Sequence, residues 1–282
     1  MNSRERIKTI FAHKTPDRMG IFDFFNELTI INWKKQGLLP DIEPVEYFDF
    51  DLDFRTKDSA KDKFTLFCFN GPFQQMVSTK NLQQSLIDFT REPRHTKDFL
   101  KSSLNNIFSE YKRQKEKSLP AGRQGHRFCG VWIWEDIAYD NGLYFSIEKY
   151  RKQLFDFHKE ISSYFQNEGL YVVFHCDGNI EQLIPFLAKS KFCGIHPLQE
   201  LSNPNIIRIK KDLKGEITFL GGIGLNHLKG LHQDILDRIE ELKEAGDYIF
   251  CFDGPIPQDT EFKTYRNILA RIEANGAYKE SS

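Results

Sequence analysis

A histidine and an aspartate two positions apart close one of the apolar runs of the chain. In the stretch FHCDGNIEQLIPFL, His175, Cys176 and Asp177 stand between that run and a helical pattern. If residues 171–175 form a strand, His175 and Asp177 share one face and Cys176 points to the other. An imidazole and a carboxylate on one face can bind one metal ion or move one substrate proton. The alternative is structural, with Asp177 capping the following helix and His175 bonding to the backbone.

Polar side chains also follow the other apolar runs. Taken singly, aspartate and asparagine are ordinary turn and helix-cap residues. Taken together at one end of a sheet, carboxylates and histidines predict a polar and mostly acidic site. We predict catalytic roles for three of these residues, namely His175, Asp177 and Asp136. We predict substrate contacts for six others, namely Asp23, Asn70, Tyr139, His196, Gln199 and Glu200.

These residues need strands to position them, and the apolar pattern supplies eight. The predicted strands are 20–25, 47–54, 64–69, 130–136, 171–175, 192–197, 217–222 and 248–253. Most are near-continuous apolar runs, as expected of strands covered on both faces, whereas 47–54 alternates strictly and predicts a half-exposed strand. Helical patterns fall between them, at 3–13, 93–117, 146–169, 179–190, 203–213, 231–245 and 260–275.

Alternation of strands and helices implies parallel pairing with right-handed crossovers. With eight strands we predict an α/β fold, a single-domain TIM (β/α)8 barrel over residues 1–282, with its site at the carboxyl ends of the strands. A doubly wound open sheet is the alternative, but no G-x-G-x-x-G follows a strand. The segment 118–127, SLPAGRQGHR, has no periodicity and is predicted to be a flexible surface loop.

Composition excludes several classes of protein. The 39 basic and 40 acidic residues give a net charge of -1, so no global field favours a nucleic acid or membrane partner. No apolar run reaches the length of a membrane span, and the charged N-terminus lacks a signal-peptide core, so we expect a cytoplasmic protein. The five cysteines include no CxxC pair, which argues against a disulfide framework or a zinc knuckle.

Several stretches resemble the uroporphyrinogen decarboxylase superfamily, which includes the decarboxylase of haem synthesis and the zinc- and corrinoid-linked methyltransferases. They are FHCDGNIEQLIPFLAKSKFCGIHPLQE, KKDLKGEITFLGGIGLNHL, DYIFCFDGPIPQDTEFKTYRNILA, the opening RERIKTIFAHKTPDRMGIFD, and WEDIAYDNGLYFSIEKYRK. The resemblance spans nearly the whole chain. It implies a TIM barrel with its site at the carboxyl ends of the strands.

The sequence departs from this family at two places. The arginine-rich stretch that binds substrate carboxylates in the decarboxylase reads DFFNELTIINW here, so we expect that porphyrinogen is not the substrate. The zinc methyltransferases carry a His-x-Cys pair and a later cysteine. Here His175 matches the first ligand, Asp177 stands at the second, and Asp253 stands near the third, with Cys251 as a substitute. Such a set is harder than thiolates and implies zinc or another divalent cation.

Three functions remain open from the sequence. The first is a methyltransferase-type enzyme that works with a metal and a corrinoid protein. The second is a decarboxylase or other lyase that acts on a tetrapyrrole or another carboxylic acid, where an aspartate or histidine would handle the proton. The third is a non-catalytic barrel that binds a small molecule. In each case we expect a small-molecule ligand.

Overall fold

The fold is built on one main sheet and a short hairpin. The computed structural model describes residues 1–54, 62–118, 128–213, 215–229 and 233–278. Within these residues the strands are β1 (Gly20–Ile21), β2 (Leu52–Asp53), β3 (Phe64–Asn70), β4 (Gly130–Trp134), β5 (Ala138–Tyr139), β6 (Gly142–Leu143), β7 (Tyr171–His175), β8 (Gly194–His196), β9 (Thr218–Leu220) and β10 (Tyr248–Phe250). All eight strands predicted from the sequence are present.

The order of the strands identifies the architecture. The main sheet runs β1-β10-β9-β8-β7-β4-β3-β2, and β5 and β6 form a separate two-stranded sheet. The pairs β1–β10, β9–β10, β3–β4, β4–β7 and β7–β8 are all parallel. Because the last strand returns to pair with the first, the sheet is a nearly closed barrel rather than an open doubly wound sheet. The predicted α/β TIM barrel is confirmed.

Helices follow the strands, as the alternation predicted. Within the described ranges they are α1 (Ser3–Phe11), α2 (Glu27–Lys35), α3 (Pro44–Tyr47), α4 (Pro72–Lys80), α5 (Leu82–Arg91), α6 (Pro93–Ser118), α7 (Ile147–Gln153), α8 (Phe155–Asn167), α9 (Ile184–Lys189), α10 (Ile206–Leu213), α11 (Gln233–Glu244) and α12 (Phe262–Ala274). A 3-10 turn, Leu225–Lys229, follows β9. None of the helices in the described part of the chain is both long enough and apolar enough to cross a membrane.

Two predicted helices differ from the structure at their boundaries. The helix predicted over 146–169 is two helices, α7 and α8, which divide at the fully buried Leu154. The helix predicted from 179 begins only at Ile184, where Pro185 lies in the first turn. Proline suits a first turn because its missing N–H would have no partner there. The loop predicted over 118–127 lies outside the described residues, apart from Ser118 at the end of α6.

The chain packs as two compact units. One consists mainly of Met1–Asp53 with Pro197–Ser282, and the other mainly of Thr65–His196. The first therefore holds β1, β2, β9 and β10, and the second holds β4 to β8 and nearly all of β3. The extent of the domain predicted over residues 1–282 stays a prediction.

In the first unit, the half-exposed strand expected over 47–54 is instead a short, buried strand. Only Leu52–Asp53 is a strand, and Asp51 just before it is fully buried. The Asp51 carboxylate accepts hydrogen bonds from Arg6 at 2.6 Å, from Arg18 at 2.8 Å and from the Ile21 N–H at 2.9 Å. A charged side chain is stable in the interior where an opposite charge pairs with it. In the alternating pattern, Asp51 is therefore a buried ion-pair partner and not part of an exposed face.

The second unit aligns the ends of three strands. Trp134 of β4 lies opposite His175 of β7, and His175 lies opposite His196 of β8. The strands that carry them are almost entirely buried, as the continuous apolar runs indicated. Parallel strands in this register bring their carboxyl ends to one edge of the unit.

Candidate metal centre

The strand ladder continues one residue beyond β4 and β7. The Glu135 N–H donates to the His175 carbonyl at 2.9 Å, and the Cys176 N–H donates to the His196 carbonyl at 3.0 Å. The Asp177 N–H then donates to Asp136 Oδ1 at 3.0 Å. Asp136 and Asp177 therefore leave the sheet side by side, each two residues beyond the paired ends of its strand.

Three side chains converge at this edge. Asp136, His175 and Asp177 each offer one ligand atom, and these atoms lie within 4.8 Å of one another. His175 Nε2 is 3.7 Å from Asp136 Oδ1 and 3.8 Å from Asp177 Oδ1. Both separations are too long for a good hydrogen bond. They suit two ligands of one cation, because groups that each bind at about 2 Å lie roughly 3–4 Å apart.

The His175 ring is fixed by its neighbours. Its Nδ1 shares a hydrogen bond with His196 Nδ1 at 2.7 Å, and the two rings stack with centroids 4.9 Å apart. The Trp134 ring lies edge-on to His175 at 4.0 Å, and Trp132 lies 4.7 Å from His196. Because Nδ1 is engaged by His196, Nε2 is the atom that faces the two carboxylates.

Burial sets the charge of the site. It lowers the pKa of His175 to about 3, so the imidazole is neutral and can present a lone pair. Burial also raises the pKa of Asp136, and the nearby Glu135 charge adds to this, while the hydrogen bond from the Asp177 N–H opposes it. Asp177 is the exposed member, at 56% of its side chain against 6% for His175. A neutral nitrogen and two carboxylate oxygens, open on the Asp177 side, fit zinc or another divalent cation.

A buried carboxylate anchors the exit of β4. Glu135 is fully buried, and it accepts the N–H groups of Phe73 at 3.1 Å and Gln74 at 2.9 Å in the first turn of α4. His158 Nε2 lies 2.9 Å from the same carboxylate, and the Tyr150 hydroxyl lies 3.1 Å from His158 Nδ1. This network holds the residue directly before Asp136. Sequence reasoning missed His158 and Tyr150, because both fit the apolar spacing of a helix.

The hairpin of β5 and β6 packs on the turn that carries Asp177. The Asn179 N–H donates to the Tyr139 carbonyl at 2.8 Å, and the Tyr139 and Tyr144 rings stack 5.9 Å apart. Gly178 has φ +87°, and a Cβ there would lie 2.7 Å from the Tyr139 backbone. Only glycine fits both the backbone conformation and the contact. Tyr139 is half exposed, and its predicted substrate contact stays a prediction.

The cysteine between His175 and Asp177 faces away from them, as the strand alternation predicted. Cys176 is fully buried, and its Sγ accepts the Ile137 N–H at 3.3 Å. Burial raises the pKa of this thiol well above its usual value. Cys176 is therefore a neutral, buried thiol whose Sγ accepts a backbone hydrogen bond beside the turn.

Two acidic residues predicted for the site lie in the first unit with other partners. Asp23 is buried, and it accepts the Tyr265 hydroxyl at 2.5 Å and the Phe252 N–H at 2.8 Å. Asp253 accepts the N–H groups of Glu200 at 3.0 Å and Leu225 at 3.3 Å. Their predicted roles in substrate and metal binding stay predictions, as does that of Cys251, which is fully buried.

Glu200 organises the segment after β9. It accepts the Gly224 N–H at 2.7 Å, and it lies 3.0 Å from His227 Nε2 and 3.1 Å from Arg238 Nε. Gln199 accepts the Asn203 side-chain amide at its backbone carbonyl, at 2.9 Å. The Glu200 contacts explain why this position is acidic without assigning it a ligand.

Asn70 is the last residue of β3, and its side chain is exposed. It pairs with Trp134 across β3 and β4, and its backbone carbonyl accepts a hydrogen bond from the Gln75 side chain at 2.9 Å. The substrate contacts predicted for Asn70, Gln199 and Glu200 stay predictions.

Comparison with known proteins supports the fold. No family model matches the chain, and no curated protein matches it. A solved methyltransferase from Methanosarcina mazei matches with a TM-score of 0.72 and 11% identity, over 97% of this chain and 99% of that one. An aldolase from Escherichia coli K12 matches at 10% identity over 98% of this chain and 97% of that one. Its TM-score of 0.40 is too low to support any inference. At 11% identity the first match shows that the two chains share a fold.

Proposed function

We propose that the chain is a metal-dependent enzyme of the methyltransferase type, with its metal held by Asp136, His175 and Asp177. The observation that carries this proposal is the convergence of three ligand atoms at the carboxyl ends of β4 and β7. Enzymes with this fold have their sites at that end of the strands. The shared fold with a methyltransferase and the resemblance to the uroporphyrinogen decarboxylase superfamily support the choice of reaction.

The three side chains have different roles in the proposed metal site. The two carboxylates supply the negative charge that a divalent cation needs, and the neutral His175 supplies a nitrogen at a fixed position. A cation bound there would act as a Lewis acid toward the methyl acceptor. The exposed side of Asp177 leaves an approach for that acceptor, and the tyrosines of the β5–β6 hairpin flank the turn that carries Asp177.

The methyl donor in this proposal is the methylated corrinoid of a partner protein. Free methylcobalamin is the corresponding probe, since loss of its methyl–cobalt absorbance reports transfer directly. The two alternatives have distinct signatures. Release of carbon dioxide from a carboxylic acid without demethylation of methylcobalamin would favour a lyase, and saturable ligand binding without turnover would favour a binding barrel.

The first test is zinc stoichiometry of the purified protein after equilibration in a zinc-buffered solution and desalting. We expect close to one equivalent for the wild type. Asp177→Asn should weaken zinc binding by about tenfold or more, because it removes a ligand charge on an exposed side chain. Asp140→Asn is the matched control, since it makes the same chemical change in the adjacent hairpin outside the ligand group.

Methyl transfer from methylcobalamin to simple thiol and hydroxyl acceptors is then compared among the three proteins. Loss of transfer in Asp177→Asn but not in Asp140→Asn supports the proposal. Equal zinc binding in all three proteins would remove the metal site, and transfer that does not depend on Asp177 would remove its catalytic role.

A further inference from the structure

We infer that His196 is a positioning residue that selects the tautomer of His175 in which Nε2 carries no proton. This inference rests on the proposed metal site. It gives His196 a role different from the substrate contact predicted from the sequence, because His196 is 2% exposed and acts through the ring of His175.

The geometry allows one proton between the two rings. The two Nδ1 atoms are 2.7 Å apart, so one of them donates and the other accepts. If His175 donates, its Nε2 has a bare lone pair directed at Asp136 and Asp177. If His196 donates, a neutral His175 must carry its proton on Nε2. That proton would then face carboxylate oxygens at 3.7 Å and 3.8 Å, beyond good hydrogen-bonding distance.

The fold holds His196 in the orientation that this role needs. His175 and His196 are opposite one another in the β7–β8 register, so the backbone fixes their spacing. Both side chains are buried, and both lie against the tryptophans of β4. A histidine that ligates a metal through one nitrogen commonly donates its other N–H to a fixed acceptor, which orients the ring. Here that acceptor is a second imidazole.

The proton balance of the pair is closed. In the tautomer that His196 selects, the pair carries two protons, one shared and bonded to His175 Nδ1 and one on His196 Nε2, and His175 Nε2 carries none. Both rings are neutral with and without a cation. Cation binding at His175 Nε2 therefore releases no net proton from the pair.

The experiment has two arms, and the first uses the wild-type protein. Long-range proton–nitrogen NMR of the metal-free protein should show His175 protonated at Nδ1 and His196 protonated at Nε2. A metal-free His175 that is protonated at Nε2 would overturn the inference without any substitution.

The second arm compares His196→Phe with His196→Asn. Phenylalanine keeps a ring in the pocket but offers no acceptor, whereas the asparagine carbonyl can take the place of the Nδ1 acceptor. We expect His196→Phe to lose about 10–100-fold in zinc affinity, measured by chelator competition, and His196→Asn to recover most of it. Melting of the metal-free variants is recorded alongside, because a merely structural role would lower stability in both without this recovery.

The outcomes separate the inference from the proposed function. Zinc binding that is unchanged in His196→Phe, or equally weak in both variants, overturns the role of His196 while the metal site stands. Absence of zinc binding in the wild type overturns both.

Discussion

His175 is more deeply buried than its place at a strand exit indicated. A histidine that faced a solvent-filled pocket would contribute little to stability. In the structure His175 is 5% exposed and shares its Nδ1 hydrogen bond with His196. Because His175 is buried whether or not it binds a metal, stability alone cannot distinguish a functional His175 from a structural one.

We predict that His175→Ala lowers the free energy of unfolding by roughly 1–3 kcal/mol, because it leaves the buried His196 without that hydrogen bond. It should also abolish zinc binding.

Asp177→Asn should abolish or strongly weaken zinc binding with a stability change within about 0.5 kcal/mol, since Asp177 is exposed. Urea denaturation and zinc titration of both variants check this pattern. A large stability loss in Asp177→Asn would mean that the turn is structural.

Asp23 gives a prediction about pH. Burial raises its pKa from 3.8 to about 7, against the opposing hydrogen bonds of Tyr265 and Phe252. A folded-state pKa above the unfolded value means that the folded protein holds the proton more tightly. The stabilising contribution of Asp23 is therefore complete below the unfolded pKa of 3.8 and is lost as the pH rises through about 7.

Asp23→Asn should remove this dependence, because the amide stays neutral at every pH. Relative to the variant, the wild type should lose on the order of 2–4 kcal/mol of unfolding free energy between about pH 4 and pH 8. Urea denaturation of both proteins at the two pH values measures the difference. Parallel pH profiles would show that Asp23 titrates at its ordinary pKa in the folded protein.

At the scale of elements, the turn after β7 depends on the hairpin that packs against it. Gly178 and Gly169 have similar positive φ angles, +87° and +76°, but a Cβ at Gly178 would meet the Tyr139 backbone at 2.7 Å. A Cβ at Gly169 would have no heavy atom within 4 Å. The two glycines thus share the backbone conformation and differ in the contact.

We predict that Gly169→Ala costs about 1–2 kcal/mol, the cost of the left-handed conformation for alanine. Gly178→Ala should cost a further 1–3 kcal/mol or so, because the methyl group must displace the β5–β6 hairpin or the Asp177 turn. It should also weaken zinc binding, whereas Gly169→Ala should not. Equal costs for the two variants would show that the hairpin moves aside freely.

The elements themselves could largely be predicted from sequence. Eight apolar runs gave eight strands, because a strand covered on both faces leaves a near-continuous apolar run. The helices α2 to α5 and the β5–β6 hairpin were not predicted, whereas two further exceptions have local causes. The pattern of 47–54 indicated a half-exposed strand, but Asp51 is buried because it pairs with arginines distant in sequence. The helix predicted over 146–169 divides into two helices at the buried Leu154. Hydrophobic periodicity indicates which residues are apolar, but it does not indicate which distant residue pairs with a buried charge.

At the scale of the whole molecule, the barrel explains why the site could be predicted only in part. His175 and Asp177 are near in sequence, so strand alternation sufficed to place them on one face. Asp136 joins them only through the pairing of β4 with β7, and that register depends on the whole sheet. The sequence marked Asp136 as catalytic by its place at a strand end, and the ligand role of Asp253, which rests on the resemblance, stays a prediction. Only the register of the sheet groups Asp136 with His175 and Asp177.

The proposed metal site is tested most directly by anomalous diffraction from crystals of the wild-type protein grown with zinc, recorded at the zinc absorption edge. We predict an anomalous peak about 2.0–2.2 Å from His175 Nε2 and from one carboxylate oxygen each of Asp136 and Asp177. Zinc bound elsewhere, with no peak among these three side chains, would contradict it.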